Sequence, residues 1–259
     1  MARLTLDLTR DEGRVAHLCL IRPERLNAFD DEMVSDFFEA LEKVAQSAAR
    51  VLIVTGSGRG FCAGFDLAAA GEQKTDRVES ALYWTRRQEH FASLVTRLRV
   101  LPQPVIAAVN GVACGAGLGL ALGCDLRIAA ASARFNAAFI KVGMTSCDIG
   151  VSWLLPRAIG SSRAFEMMLT GRMVDAQEAE RIGLCHRIVP DADLQHEAFE
   201  LARSIAANGD LNVFLTKRGA WANLESLSLA TAIELENRSQ ILMQGTGNLE
   251  RVARARGFL

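Results

Sequence analysis

Two glycine-rich stretches carry the residues of this chain best suited to chemistry. They are Gly56-Ser57-Gly58-Arg59-Gly60-Phe61-Cys62-Ala63-Gly64-Phe65-Asp66-Leu67 and Asn110-Gly111-Val112-Ala113-Cys114-Gly115-Ala116-Gly117-Leu118-Gly119. Each follows a wholly apolar run, residues 51–54 and 105–109, of the kind that forms a strand buried on both faces. Small residues let backbone N–H groups approach a ligand, and a helix starting after such a loop adds the positive end of its dipole. Two such ends brought together make a site for an anion, or for an oxyanion that develops during reaction. Dinucleotide and mononucleotide readings fit less well. Gly115-x-Gly117-x-Gly119 has neither the Rossmann spacing nor an acidic strand end about 20 residues on, and no Gly-Lys-Ser/Thr is present.

The elements that must position these loops can be read in order. Leu4, Leu6 and Leu8 alternate as a half-buried strand, and residues 15–21 form a second one after the turn signal Asp11-Glu12-Gly13, which makes a hairpin. Asp30 or Asp31 caps a helix whose apolar residues Met33, Phe37, Leu41 and Val44 recur at helical spacing. A loop is expected at 55–60, and a long helix at 77–99, closed by Leu101-Pro102-Gln103-Pro104. Strand pieces at 126–130 and 134–136 complete a pattern of strand-strand-helix units around one apolar core. Helices follow at 153–159, 164–169, 176–182 behind the capping pair Asp175/Glu178, 198–206 and 227–242. The glycine-rich α/β composition gives way to helix near residue 200, which suggests a core at 1–200 and a helical region at 201–259. Arg251, Arg254 and Arg256 read as a solvated helix face.

Composition narrows the partners. The 259 residues carry a net charge of −1, so no global field draws the chain to nucleic acid or an anionic membrane. Six scattered cysteines without a C-x-x-C pair suit reduced thiols, not a disulfide frame or a metal site. Residues 105–124 are uncharged and long enough to span a bilayer, but Asn110, five glycines and the absence of aromatic residues favour a strand, a turn and a short buried helix. The first ten residues read as a strand and not as a signal peptide, and the tail carries no lipidation or peroxisomal signal, so a cytoplasmic protein is expected.

Together the motifs resemble the crotonase (enoyl-CoA hydratase/isomerase) superfamily over nearly the whole chain. The carriers are Arg22-Pro23-Glu24-Arg25-Leu26-Asn27-Ala28, the block from Gly60 to Leu67, residues 104–125, and the helical stretch 164–183. The resemblance implies an α/β fold built as a spiral of ββα units, with a C-terminal helical region that forms a homotrimer or a dimer of trimers. It implies an acyl-CoA thioester substrate, with no separate cofactor or metal, and a role in fatty acid metabolism. By position, the N–H groups of Phe65 and Ala116 would hold the thioester oxygen. Arg22, Arg25 and Ala28 match the strand end near the nucleotide of coenzyme A, and Ala63, Asp66, Leu67 and Gly115 match further substrate contacts.

The departures bear on the reaction. Family hydratases carry two glutamates where this chain has Gly119 and Phe139, and neither can transfer a proton. Asp148, in Thr145-Ser146-Cys147-Asp148-Ile149-Gly150, matches the loop that holds a catalytic aspartate in dienoyl-CoA isomerases and chlorobenzoyl-CoA dehalogenases, given a one-residue insertion. Its alternative role is an N-cap for a helix starting near residue 151. The expected activity is therefore of hydratase or isomerase type. A dehalogenase-like or hydrolytic reaction through Asp148, or a catalytically silent acyl-CoA binder, stands as the alternative. His17, His90, Cys62 and Cys114 read as structural.

Overall fold

The computed structural model describes residues 2–68 and 77–258. It opens with the expected hairpin, Leu4–Arg10 (β1) against Val15–Leu20 (β2), whose turn places Asp11, Glu12 and Gly13 at positive φ. Helix α1 (Asp31–Gln46) is capped by Asp30, whose carboxylate accepts the Met33 N–H at 2.9 Å, and it buries Met33, Phe37, Leu41 and Val44. Three strand pairs follow: β3 (Val51–Gly56) with β4 (Gly60–Cys62), β5 (Val105–Val109) with β6 (Val112–Cys114), and β7 (Leu126–Ala130) with β8 (Arg134–Asn136). Helix α2 (Arg77–Val100) separates the first two pairs, and α3 (Ala116–Gly123) the second two. The strand at 51 runs on to Gly56, two residues into the segment expected as loop.

Each pair gives one strand to each of two sheets. After α4 (Val151–Ile159) and α5 (Ser161–Thr170), the short strand β9 (Val174–Asp175) joins the smaller sheet. Helix α6 (Ala176–Arg181), capped by Asp175 through the Glu178 N–H, leads to β10 (Arg187–Val189) in the larger one. The order is β1-β2-β3-β5-β7-β10 in the large sheet and β4-β6-β8-β9 in the small sheet. From β2 to β10 the large sheet is parallel, so both faces of its central strands are covered. Alternate residues split accordingly. Leu52, Val54, Val105, Ala107 and Val109 face the main core, while Val51, Ile53, Ile106, Ala108 and Ile128 form an outer face.

Helix α7 (Leu194–Ala206) covers that outer face with Leu194, Ala198, Ala202 and Ala206. The division expected at residue 200 therefore falls inside α7, and the chain leaves the sheet only after Ala206. The uncharged segment 105–124 folds as β5, β6 and the wholly buried α3, and no helix among the described residues is long and apolar enough to cross a membrane.

Helix α8 (Asp210–Leu224) is fastened by polar groups. Lys217 Nζ lies 3.0 Å from Asp125 Oδ2 and donates to the carbonyls of Leu98 and Gln103, both at 2.9 Å. Trp221 Nε1 donates to Asp125 Oδ1 at 2.6 Å, and the Arg99 guanidinium stands 3.8 Å from the Trp221 ring. Helices α9 (Leu229–Gly245) and α10 (Asn248–Ala255) contain no buried residue. Leu227, Leu229, Ile241, Leu242 and Leu249 stand exposed there.

Candidate active site

Because β4 and β6 lie side by side in parallel register, the loops that leave them emerge together. The first loop is stitched to the segment after the hairpin: Ala63 N–H donates to Leu26 O at 2.9 Å, Phe29 N–H to Gly64 O at 2.7 Å, and Asp66 N–H to Phe29 O at 2.8 Å. This stitch skips the N–H of Phe65. Gly64 has φ +103, and a Cβ there would stand 2.9 Å from Cys114 O and 3.2 Å from Ala116 N, so the two loops touch where a side chain is missing. Ala116 opens α3, and an N–H in the first helical turn has no carbonyl of its own helix to bond. Among the described residues, neither the Phe65 N–H nor the Ala116 N–H has an acceptor. A Cβ on Gly117 would lie 1.9 Å from Cys62 O, so α3 packs directly on β4 through that glycine.

The aspartate loop approaches α3 from the other side. A Cβ on Gly119 would meet Ile149 O at 3.2 Å and Ile149 Cγ1 at 3.4 Å, and the buried Phe139 ring lies 3.7 Å from the Cβ position of Gly115. Isoleucine and phenylalanine thus fill the space around both expected glutamate positions. Asp148 does not cap α4. That cap is Gly150, with no side-chain bond, while the Asp148 carbonyl accepts the Val151 N–H at 2.8 Å. The Asp148 carboxylate turns back instead. Its Oδ1 accepts the Ile149 N–H at 2.7 Å and the Gln88 side-chain amide, and Oδ2 has no partner among the described residues. Burial pushes this carboxyl above the ordinary carboxylate range, against the two hydrogen bonds that favour its ionised form.

Helix α2 touches both halves of the site. Gln88 holds Asp148, and Phe91, nearly one turn on, packs edge-on against the Phe65 ring with centroids 4.7 Å apart. Nothing local in the sequence marks Gln88. Asn27 is likewise unanticipated: it is wholly buried at φ 58, accepts the Arg22 N–H at 2.8 Å and donates to Ser57 O and Gly60 O at 2.9 and 2.7 Å. A lone asparagine in a turn, where it tolerates the left-handed region, was the available signal.

The expected substrate contacts divide. Ala63, Asp66 and Gly115 gather around the loops, and Leu67 stands 60% exposed beside them. The guanidinium of Arg22 is already engaged with Asp66 and with the carbonyl of the buried Ala28, whereas Arg25 is exposed and has no ion pair among the described residues. His17 bonds Gln195, and burial lowers its pKa; His90 packs on the Phe38 ring. Burial pushes the thiols of Cys62 and Cys114 up to about 12, which makes them poor nucleophiles, and all six cysteines are free. The described residues hold no cluster of potential metal ligands. A cavity of about 790 Å³ lies elsewhere, between α8 and the core beside Leu122, Leu154 and Trp221, and does not reach Phe65, Ala116 or Asp148.

Residues 10–251 match the family described as enoyl-CoA hydratase/isomerase. The chain belongs to that family. A probable enoyl-CoA hydratase of Mycobacterium bovis is 44% identical over 93% of this chain and 86% of its own length. A 1,2-epoxyphenylacetyl-CoA isomerase of Escherichia coli is 43% identical over 91% of this chain and 88% of its own. The crystal structure of a probable enoyl-CoA hydratase/isomerase from Mycobacterium abscessus superposes with a TM-score of 0.88 at 37% identity, covering 99% of this chain and 96% of the other. The crotonase resemblance is thus established, and with it an enzyme of the hydratase/isomerase family on an α/β fold with mixed sheets.

Proposed function

We propose that this enzyme isomerises an enoyl-CoA thioester by moving one proton, and that it is a poor hydratase. The thioester oxygen sits between the N–H groups of Phe65 and Ala116. Asp148 Oδ2 removes a proton from the carbon beside the carbonyl, and the electron pair passes to the thioester oxygen as a dienolate. The same carboxyl returns the proton two carbons further on, which brings the double bond into conjugation. A single carboxylate completes this cycle. Hydration needs a second acid or base, and Gly119 and Phe139 supply none.

The observation that carries the reading is Asp148, fixed through Oδ1 and with no partner for Oδ2 among the described residues, beside an α3 whose third position beyond Ala116 has no acid. The Escherichia coli relative, named as an isomerase of a coenzyme A thioester, supports isomerisation as the class of reaction. Arg25, exposed and without an ion pair among the described residues, is a cation for the nucleotide phosphates of coenzyme A, which travels with the substrate, so the enzyme needs no further cofactor. The strand pairs form the turns of a ββα spiral, and the bare helices α9 and α10 are the trimer-forming region, in a cytoplasmic enzyme without nucleic-acid or membrane partners.

The test is the conversion of a 3-enoyl-CoA to the conjugated 2-enoyl-CoA, followed by absorbance. Asp148→Asn should lower kcat by ~10²–10⁴ while leaving coenzyme A affinity unchanged. The base must be ionised, so wild-type activity should fall as pH drops through a pKa above the ordinary carboxylate range. A folded-state pKa raised in this way makes the ionised carboxylate a cost to stability at neutral pH, so Asp148→Asn should melt no lower than wild type. Fast hydration of crotonyl-CoA that survives Asp148→Asn would refute the assignment.

A further inference from the structure

We infer that Arg22 is a positioning residue for the oxyanion hole and not a ligand for the phosphates of coenzyme A. The inference rests on the oxyanion reading above, and it concerns what holds the Phe65 N–H in place. Arg22 Nη2 donates to Asp66 Oδ2 at 2.8 Å, and Nη1 donates to Ala28 O at 2.6 Å and lies 3.1 Å from Asp30 Oδ2. Asp66 follows Phe65, and Ala28 precedes the Phe29 that pairs with it. The planar fork of one arginine therefore clamps the two segments whose backbone stitch leaves the Phe65 N–H unpaired.

The clamp is itself held at its base. Arg22 N–H bonds Asn27 Oδ1 at 2.8 Å, and Arg22 O accepts the N–H groups of Arg25 and Asn27 at 3.0 and 2.9 Å. Asp66 Oδ1 accepts the Ala68 N–H at 3.1 Å, and Asp30 also caps α1.

Charge argues against a phosphate here. Arg22 and Arg3 face three carboxylates, Asp66, Asp30 and Glu32, so the cluster carries more negative than positive charge. A phosphate would have to displace Asp66 or Asp30 from a guanidinium that is only 15% exposed. Burial raises the Asp66 carboxyl, but the Arg22 hydrogen bond, the Ala68 N–H and the charges of Arg22 and Arg25 outweigh it and hold the group ionised below its ordinary range.

The experiment measures the infrared stretch of the thioester carbonyl of bound crotonyl-CoA, with its dissociation constant taken by calorimetry. Two N–H donors shift this stretch to lower frequency in the wild type. Arg22→Lys keeps the charge but cannot span Asp66 and the Ala28 carbonyl, so the shift should shrink while the dissociation constant is unchanged. Isomerase kcat should fall about 10²-fold, equally for thioesters of coenzyme A and of pantetheine, which lacks the nucleotide. Asp66→Asn should do the same, and the double variant should lose no more than either single one. A full shift in both Arg22→Lys and Asp66→Asn, or a loss confined to the coenzyme A thioester, overturns the inference and leaves the oxyanion hole standing. A wild type with no shift overturns both.

Discussion

Ile149 holds a backbone angle that β-branched residues avoid, φ 34, with its side chain and carbonyl against Gly119. The carboxylate of the preceding Asp148 accepts from the Gln88 side chain. A glutamate grafted at 119 would start 3.2 Å from the Ile149 carbonyl, tighter than an ordinary contact, so this strained residue would have to give way. Gly119→Glu should therefore lower the melting temperature and bring no gain in crotonyl-CoA hydration, measured on the purified variant. A competent hydratase produced by that single change would show that Ile149 yields freely. At this scale the sequence identifies residue types better than partners. Asp148, Phe65 and Ala116 were legible as candidates because the family resemblance implies them, whereas Gln88 meets Asp148 across 60 positions and leaves no local mark. The arginine at 22 was legible too, but its partners were not, since only the fold brings Asp66 and Ala28 to its two ends.

Among the elements, α8 was missed for a physical reason. Its one buried residue is Lys217, so the helix carries no clean apolar stripe and is docked by a charge instead. Burial lowers the lysine's pKa against the pull of Asp125. Replacing Lys217 by Met would leave Asp125 facing the core without its cation, at a cost of about 3 kcal/mol, read as a shift in the urea midpoint. A variant as stable as wild type would mean that Trp221 and the Val105 N–H alone satisfy Asp125. The strands β3 and β5 and the caps at Asp30 and Asp175 were legible because hydrophobic runs and capping chemistry are local signals. The strands β4, β6, β9 and β10 were not, since runs of two or three residues become strands only through distant partners.

For the whole molecule, the unbroken apolar runs of β3 and β5 pointed to two buried faces, but not to what covers each. The tail beyond α8 poses the opposite problem, with apolar residues that the other described residues leave exposed. If α9 and α10 join subunits, Leu229→Glu combined with Leu242→Glu should convert a trimer or hexamer into monomers in light scattering, with the core still folded. An unchanged mass would place the interface elsewhere. The outer face of the large sheet has a covering helix, but one from late in the chain: α7 closes over Val51 and Ile53, and Arg203 pairs with Asp11 at 3.0 Å. The roughly 150 residues between β3 and the end of α7 take about eight to thirty seconds to synthesise at about 5–20 residues per second. Throughout that interval the nascent chain can pair its strands but cannot hide their outer side. A ribosome-bound intermediate therefore presents a sticky, half-finished sheet, and a chaperone that shields it has a task timed by the arrival of one helix.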